Sequence, residues 1–115
     1  MYPKYKNEKD IRYILEHLRE EDKHEALIQK GENYIDECLE DIMNNDSEDF
    51  LLGCKKSDDT PVCMGGCVPS QENAIGIVWL LSTSEIENHK ICLMRHLKEE
   101  MVKYDRKYWI TYNFI

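Results

Sequence analysis

Cys63 and Cys67 bracket Met64-Gly65-Gly66, and His89 and His96 follow later in the chain. Thiolates and imidazoles are ordinary ligands of zinc and other transition metals. Neither pair has the spacing of one shared ion. Strand residues four apart stand about 13 Å apart, and helix residues seven apart share a face but lie about 10 Å apart along the axis. No second Cys or His pair stands at zinc-site spacing, so Cys63 and Cys67 read as buried strand cysteines in preference to ligands. His89 could approach a ligand at a helix start, although a solvated surface histidine is the favoured reading, as it is for His17 and His24. Gly65 and Gly66 are not followed by a helix start. They mark a bulge or a close backbone approach in preference to a phosphate loop.

These residues must be positioned by secondary structure, and the strongest signal is the uncharged run at 74–83, Ala-Ile-Gly-Ile-Val-Trp-Leu-Leu-Ser-Thr. Its β-branched and aromatic content predicts a strand buried on both faces. A helical pattern follows over 84–103, facing inward with Leu93, Met94, Leu97, Met101 and Tyr104, and then Tyr108-Trp-Ile-Thr-Tyr-Asn-Phe-Ile115. Strand, helix, strand predicts a crossover that lays the two strands parallel.

Upstream, residues 1–5 read as a short strand. Ile11, Ile14, Leu15 and Leu18 make a helical stripe opened by Asp10 or Glu8. The polar segment 19–25 predicts a break before a short helix at 25–29 ended by Gly31. Ile35, Cys38, Leu39, Ile42 and Met43 form a second stripe, with a stop at 44–47. Residues 50–55 and 62–68 read as a hairpin around the turn 57–61, and 69–73 as the next turn. The order β, α, α, β, β, β, α, β predicts a mixed α/β sheet in one domain.

Composition narrows the function. The formal net charge is −8, which disfavours nucleic acid as a partner, favours a cationic one, and also simply serves solubility. No stretch approaches the roughly 18 to 20 apolar residues of a membrane span. The N-terminus lacks an apolar signal region, and the odd count of five cysteines points to reduced thiols, so a cytoplasmic location is expected.

This pattern resembles the GNAT acyltransferase fold. There, N-terminal helices precede an antiparallel meander, a cofactor-binding crossover helix and a final parallel strand. It is more narrowly similar to GNAT-like proteins of tailed bacteriophages, through Leu18-Arg-Glu-Glu-Asp-Lys-His-Glu-Ala26, Met64-Gly-Gly-Cys67 and Val78-Trp-Leu-Leu-Ser-Thr83. The resemblance implies an acetyl-CoA-dependent N-acyltransferase acting on a protein or small amine in the host cytoplasm. Its rival is a non-catalytic protein-binding factor in virion assembly or host-protein modulation. The pantetheine arm would pair with Leu80, Leu81 and Ser82, and the phosphates would meet Asn88, His89 and Lys90. Tyr112 and Glu72 are the candidate acid and base for acyl transfer, with Asn113 nearby, although a packing residue with a hydrogen-bonded hydroxyl is the favoured reading of Tyr112.

Two departures from the family stand out. The glycine loop that holds the pyrophosphate is replaced by Ser84-Glu-Ile-Glu-Asn-His89. Within it, Ser84 and Glu87 have capping-box spacing, and Glu85 and Glu87 would repel phosphate. The resemblance also implies a helix and strands after the fifth strand, where this sequence stops at Ile115, so these elements are expected either to be absent or to be supplied by another chain; their absence would leave an uncovered edge at 108–115 suited to self-association.

Overall fold

In the computed structural model, residues 1–44, 50–69, 75–107 and 110–114 are described. The elements are β1 (Tyr2–Lys4), α1 (Glu8–Glu16), α2 (Glu20–Lys30), α3 (Tyr34–Asn44), β2 (Phe50–Cys54), β3 (Pro61–Pro69) and β4 (Ile75–Ser82). A 3₁₀ turn (Ser84–Asn88), α4 (Lys90–Lys107) and β5 (Ile110–Phe114) follow. The five strands form one sheet in chain order. β1 to β4 pair antiparallel, and β5 lies parallel to β4 with Ile75 opposite Ile110 and Trp79 opposite Phe114. The fold is α+β with a mixed sheet, and β5 occupies one edge of it. The expected turns at 44–47 and 69–73 fall wholly or largely outside the described residues.

The helices divide between the two sheet faces. Ile11, Ile14, Leu15 and Leu18 pack with Ala26, Tyr34, Leu39 and Ile42 over Leu52, Cys54 and Met64. On the opposite face Leu93 and Ile86 cover Val62 and Cys63, with Leu97 and Leu80 beside them. Met94, expected inward, is 64% exposed. Leu93 and Leu97 set the buried line of α4, and Met94 lies about 100° around the helix from Leu93. The side chains of Met101 and Tyr104 lie outside the described set, as does Trp109. Trp79 is half-buried, tilted against Phe50 with ring centroids 6.1 Å apart.

α2 corrects the expected break over 19–25, since the helix starts at Glu20 and only residues 17–19 turn the chain. Glu, Lys, Ala and Leu are good helix formers, and Glu20, Glu21 and Asp22 place acids on the first turn, where the helix dipole favours them. Apolar periodicity misses this helix because its buried residues are Asp22 and Ala26.

α4 brings a second correction. The long helix begins at Lys90 and not at 84; residues 84–88 wind as a 3₁₀ turn around the buried Ile86. The capping box is not formed. Thr83 stands at the cap position, and its hydroxyl donates to the Val62 carbonyl at 3.1 Å but accepts no hydrogen bond from the turn's own N–H groups.

α1 begins with a reciprocal cap. The Asp10 N–H donates to Asn7 Oδ1 at 2.9 Å, and Asn7 Nδ2 donates to the Asp10 carboxylate at 3.0 Å. Lys4 Nζ stands 3.0 Å from the same carboxylate. Burial pushes the Asp10 carboxyl up, but donation from Asn7 and Lys4 outweighs it and leaves the group below its ordinary 3.8. A depressed carboxyl contributes stability above its unfolded pKa, and that contribution is lost as pH falls through the lower folded value. Asp10→Asn should therefore flatten the loss of stability between about pH 5 and pH 3, read from urea midpoints. An unchanged acid limb would show that the cap carries none of it.

Candidate functional site

Past its pairing with β5, β4 runs on to Ser82, and there its edge is taken over by the connection between α1 and α2. Leu18 bridges Thr83 antiparallel, and the Arg19 N–H donates to the Ser82 carbonyl at 3.0 Å. The Ser82 N–H donates to the Asp22 carboxylate at 3.0 Å, and its hydroxyl reaches the same oxygen at 3.4 Å. Arg19 grips that carboxylate with Nε and Nη2 at 3.1 and 3.2 Å, a two-pronged pair. The Asp22 hydrogen bond raises the Arg19 pKa. Asp22 and Ser82 are 6% and 1% exposed, so the clamp is largely dry.

Alternate strand residues point their backbone groups to the same edge, so Leu80 faces the side that Ser82 gives to α2. The last rung with β5 joins Trp79 to Phe114. In a parallel ladder the N–H of the following residue closes that rung, which leaves the Leu80 carbonyl as the next acceptor on this edge. Beside it is a cavity of about 270 Å³, lined by Asp22, Glu25, Ala26, Gln29, Lys30, Cys38, Trp79, Leu80 and Leu81. Its floor of Trp79, Leu81, Ala26 and Cys38 is apolar. Lys30 is held on the rim by Asp41 at 2.6 Å, and burial pushes the Cys38 thiol up.

The expected site residues separate into groups. Leu80, Leu81 and Ser82 do converge, two of them on the cavity and the third in the clamp. Tyr112 lies on β5 opposite Ile77, with its side chain outside the described set, and Glu72 lies outside the described residues altogether. Asn88, His89 and Lys90 form a separate cluster: Asn88 Nδ2 donates to Glu85 at 3.2 Å, Lys90 pairs with Glu87 at 2.7 Å, and His89 Nε2 stands 3.9 Å from Glu85.

This cluster does not fit a pyrophosphate. The Ile86 N–H donates to Thr83 and the His89 N–H to Ile86, so these two backbone donors are spent within the turn. Glu85 is also tied to Lys55 at 3.1 Å. His89 is half-buried instead of fully solvated, whereas His17 and His24 are exposed.

Sequence reasoning passed over Arg19 and Asp22. The only signal was their place in the segment 18–26, and an exposed-looking acidic helix start gives no hint of a carboxylate turned onto a strand edge. Comparison of the chain with protein-family models, curated proteins and solved structures finds no match. Among the described residues no helix is long and apolar enough to cross a membrane.

Proposed function

We propose that this chain is a GNAT-like protein of the phage type that works as a protein-binding factor, in virion assembly or in modulating a host protein. The observation that carries the reading is the cavity under α2, beside the stretch of β4 at Leu80 and Leu81. It offers an apolar lining for a partner side chain, with Glu25 among its residues to suit a cationic group. The chain's net charge of −8 favours a lysine-rich partner segment.

N-acyl transfer from acetyl-CoA is the second reading. It is favoured by the parallel pairing of β4 and β5, beside which the family receives a pantetheine amide, with Tyr112 and Glu72 as acid and base. The spent N–H groups and the carboxylates at 84–90 tell against it.

Titration calorimetry with acetyl-CoA and CoA separates the two readings. The binding reading expects no more than millimolar affinity, tightened several-fold by Glu85→Gln with Glu87→Gln, since each charge near a helix start is worth about 0.3 to 1 kcal/mol. Short basic peptides with one apolar residue should shift the emission of Trp79, followed in Trp109→Phe protein, and Ala26→Leu, which fills the cavity, should abolish that shift. Micromolar acetyl-CoA binding with turnover of an amine would replace this reading with the second.

A further inference from the structure

The two faces of the protein carry helical stripes of opposite charge. On α4, Ile91, Met94, Arg95, Lys98 and Val102 fall at i, i+3, i+4, i+7 and i+11 and are all exposed, with Ile91 at 80% and Met94 at 64%. The stripe has three apolar side chains and two cations, with the exposed Glu99 on its flank, about 40° around the helix from Arg95. On α2, Glu21, His24, Glu25 and Ile28 fall at i, i+3, i+4 and i+7, also exposed, with Ile28 at 68%. Among the described residues neither Arg95, Lys98, Glu21 nor Glu25 takes part in an ion pair.

We infer that copies of this chain associate head to tail, the α2 stripe of one seated on the α4 stripe of the next. Charge decides between the arrangements. Two α4 stripes packed antiparallel about a two-fold axis, with Ile91 against Val102, bring Arg95 onto Lys98, while two α2 stripes bring Glu21 onto Glu25 in one register and Glu25 onto His24 in the end-to-end one, so neither symmetric pairing offers a Lys or Arg to these carboxylates or a carboxylate to these cations. An antiparallel α2 on α4 puts Glu21 on Lys98, Glu25 beside Arg95 and Met94, and Ile28 on Ile91, because equal rise per residue keeps all three pairs in step. The parallel alternative would set Glu25 against Glu99. The stripes lie on opposite faces of the sheet, since α2 packs in one core cluster and α4 in the other. Such a contact cannot close as a two-fold dimer and leaves a free stripe at each end. The net charge of −8 on each copy opposes assembly, but screening over about 8 Å at physiological salt leaves the local pairs in control.

Sedimentation velocity from micromolar to millimolar protein tests this, at about pH 8, where an ordinary histidine is neutral. The average mass should climb past the dimer as concentration rises. Arg95→Gln with Lys98→Gln, or Glu21→Gln with Glu25→Gln, should each weaken association about threefold to tenfold, as two exposed pairs imply. A mixture of the two double variants, each with one intact stripe, should form a one-to-one complex at concentrations where neither variant associates alone. That mixture also shows that each variant is folded. A monomer at every concentration, a dimer of fixed size, or association indifferent to either double variant overturns the inference.

Discussion

Asp22→Ala should lower stability by roughly 3 kcal/mol, the lower end of the range for breaking a buried ion pair, because Arg19 keeps partial contact with water. The Asp22 side chain is 7% exposed and that of Arg19 27%. Removing the carboxylate strips Arg19 of its two-pronged partner and leaves the buried Ser82 N–H without an acceptor. For a domain of this size the melting temperature should fall on the order of 10 °C. Asp22→Asn, which keeps an acceptor for Ser82, should lose about half as much. A melting temperature unchanged in Asp22→Ala would show that α2 is not held to β4 by this clamp, and the cavity between them would lose its support.

Gly65→Ala should cost about 2 to 3 kcal/mol, a large effect for one methyl group. A Cβ at Gly65 would stand 2.6 Å from the Trp79 carbonyl oxygen and 3.3 Å from Leu80 Cδ1. The nearer atom belongs to the backbone of β4, so relief requires β3 and β4 to part just where Gly65 is registered with Leu80. Gly53→Ala is the control. Its added Cβ would meet Met1 Sδ at 2.9 Å, but a flexible thioether can swing aside, and the cost should stay below about 1 kcal/mol. Urea midpoints compare the two at constant slope. Equal losses at both positions would mean that the strand register around Leu80 is wrong.

The contrast between the two glycines shows how far the sequence was legible. The pair at 65 and 66 in a strand announced a close approach or a bulge, and Gly65 makes the close approach. The register irregularity lies elsewhere, between Gly53 and Cys54. Which backbone comes close depends on the pairing of β3 with β4, which no local pattern encodes.

The sequence by itself determined the elements whose burial is apolar and periodic. The stripe of α1, that of α3 apart from Met43, expected inward but 39% exposed, the hairpin of β2 and β3, and the run that becomes β4 each follow from side chains that must leave water at a helical or alternating spacing. The succession of β4, α4 and β5 likewise implied a parallel pair. Tertiary structure alone decided what polar residues do. α2 is fixed by a carboxylate whose partners are a strand edge and an arginine, a contact between residues 60 apart in the chain. The helix expected at 84 gives way to a 3₁₀ turn because Ile86 must reach the core on the far side of the sheet. The cavity beside Leu80 and Leu81 exists because the carboxylate of α2 is held to the end of β4. Hydrogen bonds and charges gain meaning from the partner that the fold brings up, and that partner has no fixed distance along the sequence.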